Sequence, residues 1–385
     1  MSRPVVVWVA GTNWDSVPGT DKRLVLALSD HCTILWVDPP RRGPGFGPHR
    51  HVNPREVAAG VLRLEVPVPW PAVTRFGIRV ATNLWLWRTI SKALLRSGLV
   101  SDACVVAFPL ARFPRTMAAS KVLYVTDQWL AGADLMGFSA KRIEKILRWN
   151  LREADAVVAI SPEVLTQLGS LQRLPASTFV LPNGCDLPPE RHRGPRAPRA
   201  VLLGQLNERL DANTLDALCD AAVPILVVGQ RADSDADFGK RLDRFLAAPN
   251  VEWVGAVPGV EVPGFLETSA VGITPYTNSA FNKASFPLKT LEYLASGLPV
   301  ISSDLPASAW LATEHVRVCT DTPSFVRGTL LAITDVGDQD LEADRRNVAK
   351  VNTWHHRATE FLHLLENCGA ITNAANVPEG SLPRE

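Results

Sequence analysis

Short, solid runs of apolar residues constrain this chain more than any other feature. Val5–Ala10, Thr33–Val37, Ala103–Phe108, Ala156–Ile160, Pro224–Val228 and Val271–Tyr276 are each five or six residues long. They are rich in Val and Ile and bounded by Gly, Pro, Asp or Ser. A half-buried strand alternates apolar and polar residues, whereas an unbroken run predicts a strand covered on both faces. Shorter strands are expected at Leu62–Val68, Lys121–Val125, Ala200–Leu203, Asn250–Gly255 and Val316–Val318, and helical patterns at Asp21–Ser29, Ser139–Ala154, Pro323–Thr334 and Leu341–Leu365. Parallel strands need long crossovers, which helices supply. The alternation predicts an α/β fold of two doubly wound, Rossmann-like domains.

Length and composition set further bounds. A chain of 385 residues, 46% of them hydrophobic, suits two domains with substantial cores. The Pro/Arg-rich stretch 188–199 reads as a linker. It separates an N-terminal domain, 1–187, from a C-terminal domain, 200–352. A last helix spans 353–368, and a polar tail, 369–385, follows. Forty basic residues against 39 acidic ones give no global field for nucleic acid. The six cysteines have no CxxC spacing, so neither a zinc site nor a disulfide framework is expected. The start, MSRPVVVWVAGTN, reads as a strand and not a signal peptide. No apolar run reaches the ~18 residues of a membrane span. The expected compartment is the cytoplasm.

Ligands of open α/β sheets bind at the carboxyl ends of strands. Asn13, Asp15 and Gly19 follow the first strand and are candidates for lining a cleft, or else form an ordinary turn-rich connection. The stretch Phe281–Pro306 reads as loop, helix, turn and strand: Pro287 suits a first helical turn, Gly297 a helix stop and Pro299–Ile301 a buried strand. Lys289 and Glu292 lie on one face of that helix. Beside a helix N-terminus they suit a phosphate and a sugar hydroxyl, or they form a surface ion pair. The span from Trp70 to Leu99 is basic, rich in Trp and free of acidic residues. Trp85, Trp87, Arg88 and Lys92 would contact an anionic membrane face, or the helix is a core element whose cations snorkel. Residues 41–55 read as a basic loop.

The Phe281–Pro306 stretch resembles the nucleotide-sugar segment of GT-B glycosyltransferases, above all the family 4-like bacterial wall and capsule enzymes. Their pattern, Pro-x-Lys-x-x-Glu-Tyr-x-Ala-x-Gly-x-Pro-Val, is met by Pro287, Lys289, Glu292, Tyr293, Ala295, Gly297, Pro299 and Val300. Thr12-Asn13-Trp14-Asp15, Val37-Asp38-Pro39-Pro40 and Pro182-Asn183-Gly184-Cys185-Asp186 resemble other segments of that family. The resemblance implies the GT-B architecture, with a cleft between two Rossmann-like domains. It implies donor contacts from Gly204 and Arg209 to the diphosphate, from the backbone of Trp253 and Val254 to the base, and from Lys289 and Glu292 to the phosphate and ribose. Arg209 has an alternative, an ion pair with Glu208 or Asp211. Asp127, at a strand end facing the acceptor, would be a catalytic base or hydroxyl ligand, or else the N-cap of the next helix. The chain departs from the family at Ala284, where retaining members carry a first glutamate; the teichuronic-acid-type branch, which emphasises the Lys-x-x-Glu pair, resembles it better.

The expected activity is transfer of a sugar from a nucleoside diphosphate sugar to a lipid-linked or saccharide acceptor in envelope polysaccharide or glycolipid synthesis, with no metal or other cofactor. The alternatives are another GT-B enzyme, such as a UDP-N-acetylhexosamine 2-epimerase, and a non-catalytic membrane-associated protein.

Overall fold

The computed structural model describes residues 3–42, 53–68, 76–134, 136–189, 196–286, 288–334 and 339–371. Trp70, Pro287, most of the 41–55 loop, linker residues 190–195 and the tail beyond 371 lie outside the described residues. The chain divides into two compact units, Met1–Pro182 with Trp354–Glu385, and Asn183–Thr353.

The first unit runs β1 (Val5–Val9), α1 (Thr20–Leu28), β2 (Thr33–Val37), β3 (Arg41–Arg42), β4 (Arg55–Ala58), β5 (Val61–Leu64), β6 (Pro67–Val68), α2 (Phe76–Ser97), β7 (Ala103–Val106), β8 (Ser120–Val125), α3 (Ala140–Glu153), β9 (Ala156–Ala159), α4 (Pro162–Leu171) and β10 (Ser177–Val180). Its main sheet has the order β10-β9-β8-β7-β1-β2-β5-β4, parallel throughout except for the antiparallel edge strand β4. The chain leaves β1 toward β2 and later returns to its other side at β7. The loops after β1 and β7 therefore diverge at the carboxyl edge, where such sheets bind ligands. Every residue of β1, β7 and β9 is buried, as unbroken apolar runs require. Arg41 and Arg42, expected in a loop, instead pair with Pro67 and Val68.

The second unit continues with β11 (Ala197–Leu203), α5 (Ala212–Asp220), β12 (Ile225–Val228), α6 (Ala236–Leu246), β13 (Val251–Gly255), α7 (Val262–Glu267), β14 (Ser269–Thr274), α8 (Ala280–Ala284), α9 (Leu288–Ala295), β15 (Val300–Ser303), α10 (Pro306–Trp310), β16 (Val316–Cys319), α11 (Thr322–Thr334) and α12 (Gln339–Lys350). Its sheet, β13-β12-β11-β14-β15-β16, is parallel, and its order reverses between β11 and β14. β11 begins inside the stretch expected to be linker. The side chain of Arg196, just before it, is buried; its guanidinium donates to the carbonyls of Leu266, Ser269 and Ser296 and pairs with Glu342 at 2.7 Å. The bonds to Leu266 and Ser296 satisfy carbonyls at the ends of α7 and α9 that the helices leave open.

The helical pattern expected over Leu341–Leu365 is two helices, α12 and α13 (Trp354–Asn367). The break falls where Asn352 accepts from Cys185 N and Thr353 bridges to Cys185. In the first unit α13 packs on α1, and its Phe361 meets the rings of Trp8 and Tyr124. All six cysteines are free, and Cys32, Cys104, Cys185 and Cys319 are buried as small core side chains. No helix among the described residues is long and apolar enough to cross a membrane.

Candidate active site

In the second unit three glycines end adjacent strands, and each has positive φ: Gly204 (+131°), Gly229 (+155°) and Gly255 (+76°). The backbone approach is close. A Cβ on Gly229 would stand 1.7 Å from Gly204 O, and Gly229 N donates to Gly255 O at 2.8 Å. No side chain other than hydrogen fits Gly229, and the strand ends form a bare backbone edge. Trp253 borders it, half exposed, with its indole N–H donating to Gly229 O at 3.0 Å. One residue on, the β12–β13 register slips and leaves Val254 out of the ladder, a bulge of the kind found beside binding sites.

Lys289 stands on the other side of Gly204. A Cβ on Gly204 would be 3.4 Å from Lys289 Cε, so the lysine stem packs over the glycine. Its ammonium lies 2.8 Å from Glu292 Oε2, with both side chains partly exposed. The ion pair expected as one alternative is therefore formed, and it places both charges at the glycine edge. Tyr293 fixes this arrangement. Its ring covers Gly272, where a Cβ would approach to 2.3 Å, and its buried hydroxyl accepts from Leu203 N (2.8 Å) and donates to Ile273 O (3.3 Å). Helix α9 is thus tied to the last residues of β11 and β14, and its first turn reaches Gly204.

Arg209 lies in the β11–α5 loop, at the reversal of strand order. Neither carboxylate proposed as its partner holds it. Glu208 accepts from Ser234 and Asp235, and Asp211 caps α5 by accepting from Asn213 N and Thr214 Oγ1. Arg209 instead lies against the rings of Tyr276 (5.3 Å) and Phe281 (4.8 Å), and its Nε donates to Asn282 Oδ1 at 2.8 Å. Asn282 is buried and donates through Nδ2 to Arg209 O, Thr277 O and Thr277 Oγ1. The loops after β11 and β14 are thereby joined around one cation. Nothing in the sequence marked Asn282; its partner is 73 positions away.

In the first unit, Asn13, Asp15 and Gly19 follow β1. Asn13 Oδ1 is buried without a hydrogen-bond partner among the described residues, and Gly19 precedes the first turn of α1. Asp15 points outward but accepts from Arg63 Nη1 at 2.8 Å, and this bond holds its carboxyl below the usual range. Arg63 is fully buried and also binds Asp38, whose other oxygen accepts from Trp14 N and the Trp36 indole. This network orients the β1–α1 loop and explains the Asp of Val-Asp-Pro-Pro. Asp127, after β8, accepts from Gln128 N and caps no regular helix; Ser139 precedes α3.

The Trp-rich helix requires a correction. The indoles of Trp85 and Trp87 donate to Pro67 O (3.1 Å) and Arg112 O (2.7 Å); Trp87 is buried and Trp85 half-buried. Both indoles satisfy their N–H inside the unit, and burial removes Trp87 as a membrane contact. Arg88 and Lys92 are exposed, on a helix that also exposes Val80, Leu84 and Leu95.

Residues 200–335, which include all six donor-side candidates, match the family model of glycosyl transferases group 1. The match lies wholly within the second unit. Over 113 residues the chain is 36% identical to TuaH of Bacillus subtilis (strain 168), assigned as a teichuronic acid biosynthesis glycosyltransferase; the match spans 29% of this chain and 28% of TuaH. Among solved structures, sucrose-phosphate synthase from Thermosynechococcus elongatus superposes with a TM-score of 0.70 at 14% identity, over 95% of this chain and 99% of that one. The E. coli trehalose-6-phosphate structure bound with UDP-2-fluoro glucose gives 0.63 at 11% identity, over 96% and 99%. The fold that this chain shares with these structures is GT-B.

Proposed function

We propose that this chain transfers a sugar from a nucleoside diphosphate sugar to a hydroxyl acceptor in the synthesis of a cell-envelope polysaccharide or glycolipid. The observation that carries the reading is the Lys289–Glu292 pair held against the side-chain-free edge at Gly204 and Gly229. A diphosphate needs close backbone approach and fixed positive charge, and a ribose needs a carboxylate acceptor. Lys289 and Arg209 supply charge to the departing diphosphate, Glu292 accepts from ribose hydroxyls, and the backbone of Trp253 and Val254 borders the base. In the reaction the bond from the anomeric carbon to the diphosphate oxygen breaks. The acceptor oxygen bonds to that carbon and loses its proton, for which Asp127 is the candidate base. Asn13, Asp15 and Gly19 contact the acceptor. The sugar nucleotide bound in the trehalose-6-phosphate structure supports the donor class, and the match to TuaH supports the envelope setting. The reading requires no metal, because protein cations take the leaving-group charge. It puts the chain in the cytoplasm, with Arg88 and Lys92 as the contacts to an anionic membrane face.

Calorimetric titration with UDP-, GDP- and dTDP-sugars tests this. One nucleotide class should bind the parent chain, and Lys289→Ala and Arg209→Ala should each bind it at least about tenfold more weakly, the loss of one charge-assisted contact. Unchanged affinity in both variants would remove the site assignment, and absence of binding by any of the three classes would remove the function.

A further inference from the structure

Three arginines of the first unit converge on one indole. The guanidinium carbons of Arg112, Arg115 and Arg152 lie 3.9, 5.4 and 5.9 Å from the ring centre of Trp149. Arg112 and Arg115 come from the β7–β8 crossover, which contains no helix, and Trp149 and Arg152 from the last turn of α3. Among the described residues none of the three guanidiniums has a carboxylate partner. The neighbouring Glu153 is held by Lys121 at 3.3 Å. The helix end contributes only about half a negative charge, so an excess of roughly two positive charges stays in one small volume.

The frame around Arg112 and Trp149 is held by hydrogen bonds, while Arg115 and Arg152 are exposed. Arg112 N donates to Asn83 Oδ1 (3.0 Å), and Arg112 O accepts from the Trp87 indole (2.7 Å). Phe113 N donates to the buried Asn150, and Phe113 O accepts from the Trp149 indole. Burial, together with repulsion from Arg115 and Arg152, pushes the Arg112 guanidinium below its ordinary pKa. A guanidinium lying on a ring directs its N–H donors outward in its own plane, and a planar fork suits phosphate oxygens. Among the described residues Glu153, shared with Lys121, is the one carboxylate that acts on Arg112, and cations so weakly compensated favour a bound anion.

We propose that Arg112, Arg115 and Arg152, arranged on Trp149, form a binding site for a phosphate group. The site is separate from the donor candidates, which all belong to the second unit. It lies at the amino-terminal edge of its sheet, because only Ala154 and Asp155 separate the end of α3 from the start of β9. The phosphate comes either from a soluble phosphorylated ligand or from a lipid headgroup, since α2, which anchors Arg112, also carries the exposed Leu84, Arg88, Lys92 and Leu95.

The test uses the full chain carrying Lys289→Ala and Arg209→Ala, so that pyrophosphate cannot report the donor site. Pyrophosphate should bind this background in low salt and raise its melting temperature. Adding Arg115→Gln and Arg152→Gln should weaken binding about tenfold or more, as loss of charge-assisted hydrogen bonds does. Flotation with phosphatidylcholine vesicles, with and without phosphatidylglycerol, identifies the source. Flotation on the anionic vesicles that the two Gln substitutions abolish assigns a lipid headgroup; pyrophosphate binding without flotation assigns a soluble phosphate. If the arginines only brace Trp149, the Gln substitutions lower the melting temperature in phosphate-free buffer and pyrophosphate binding is absent or unaltered by them, and the proposal falls.

Discussion

Asp21 offers a direct test of how the first unit is built. It sits in the first turn of α1, buried, with Oδ2 accepting from Gly11 N at 3.1 Å and Oδ1 meeting no partner among the described residues. Tyr124 beside it is fully buried, and its hydroxyl is also unpartnered among the described residues. Burial raises the Asp21 carboxyl from 3.8 to about 7, against one backbone hydrogen bond that lowers it. A raised acid binds more protons folded than unfolded, so stability is highest at low pH. It declines as pH climbs from about 4, and the whole penalty is present above about 7. Ionising a carboxyl raised this far costs the folded state roughly 4 kcal/mol, a large share of a typical unit's stability. Asp21→Asn keeps an acceptor for Gly11 N and removes the charge. Its own hydrogen bonding adds an offset independent of pH, so the informative quantity is how the difference from the parent chain changes. Between pH 5 and pH 8 that difference should move by roughly 2–3 kcal/mol in favour of Asn. Denaturant unfolding followed by tryptophan fluorescence reports the first unit, because all tryptophans except Trp253 and Trp310 belong to it. A difference constant across that pH range, or one growing in favour of Asp, would refute the assignment of a neutral buried acid.

Two further substitutions examine the scaffold of each unit. Tyr293→Phe leaves Leu203 N unpaired in the core and should cost about 1–3 kcal/mol in unfolding of the second unit, with weaker nucleotide-sugar binding because α9 loses its tie to β11; an unchanged melting temperature would show that the hydroxyl is dispensable. Asn150→Ala strips Phe113 N and Ala111 O of their partners and should cost about 2–4 kcal/mol, measured by urea unfolding; a loss below about 1 kcal/mol would mean the crossover is held by other contacts.

The strands were legible because burial on both faces forces an unbroken apolar run, and β1, β2, β7, β9, β12 and β14 fall on such runs. The polar edge strand β4 has no such signature, since Arg55 and Glu56 face solvent. The Lys289–Glu292 pair was legible because its geometry is local to one helix. Arg63 was not: its partners Asp38 and Asp15 are 25 and 48 residues away, so an apparent apolar strand conceals a buried ion network. Composition alone misplaced Trp87. Two residues apart on a helix, Trp85 and Trp87 point to nearly opposite sides, and only the tertiary structure shows that carbonyls of Pro67 and Arg112 receive both indoles.

Ala284 gains a physical meaning from its surroundings. It ends α8 at 5% exposure, where a glutamate would bury a carboxylate in a closely filled position. Two residues earlier Asn282 faces the β11–α5 loop and holds Arg209 by side chain and carbonyl together. The segment after β14 therefore positions a cation and supplies no acid. In the proposed transfer such a site would contribute most where negative charge develops, on the departing diphosphate. Asn282→Ala should accordingly act like a weaker Arg209→Ala, lowering donor affinity while leaving the Lys289–Glu292 pair in place. If the two variants affected affinity independently, the coupling between loop and cation that the hydrogen bonds describe would have no role in binding.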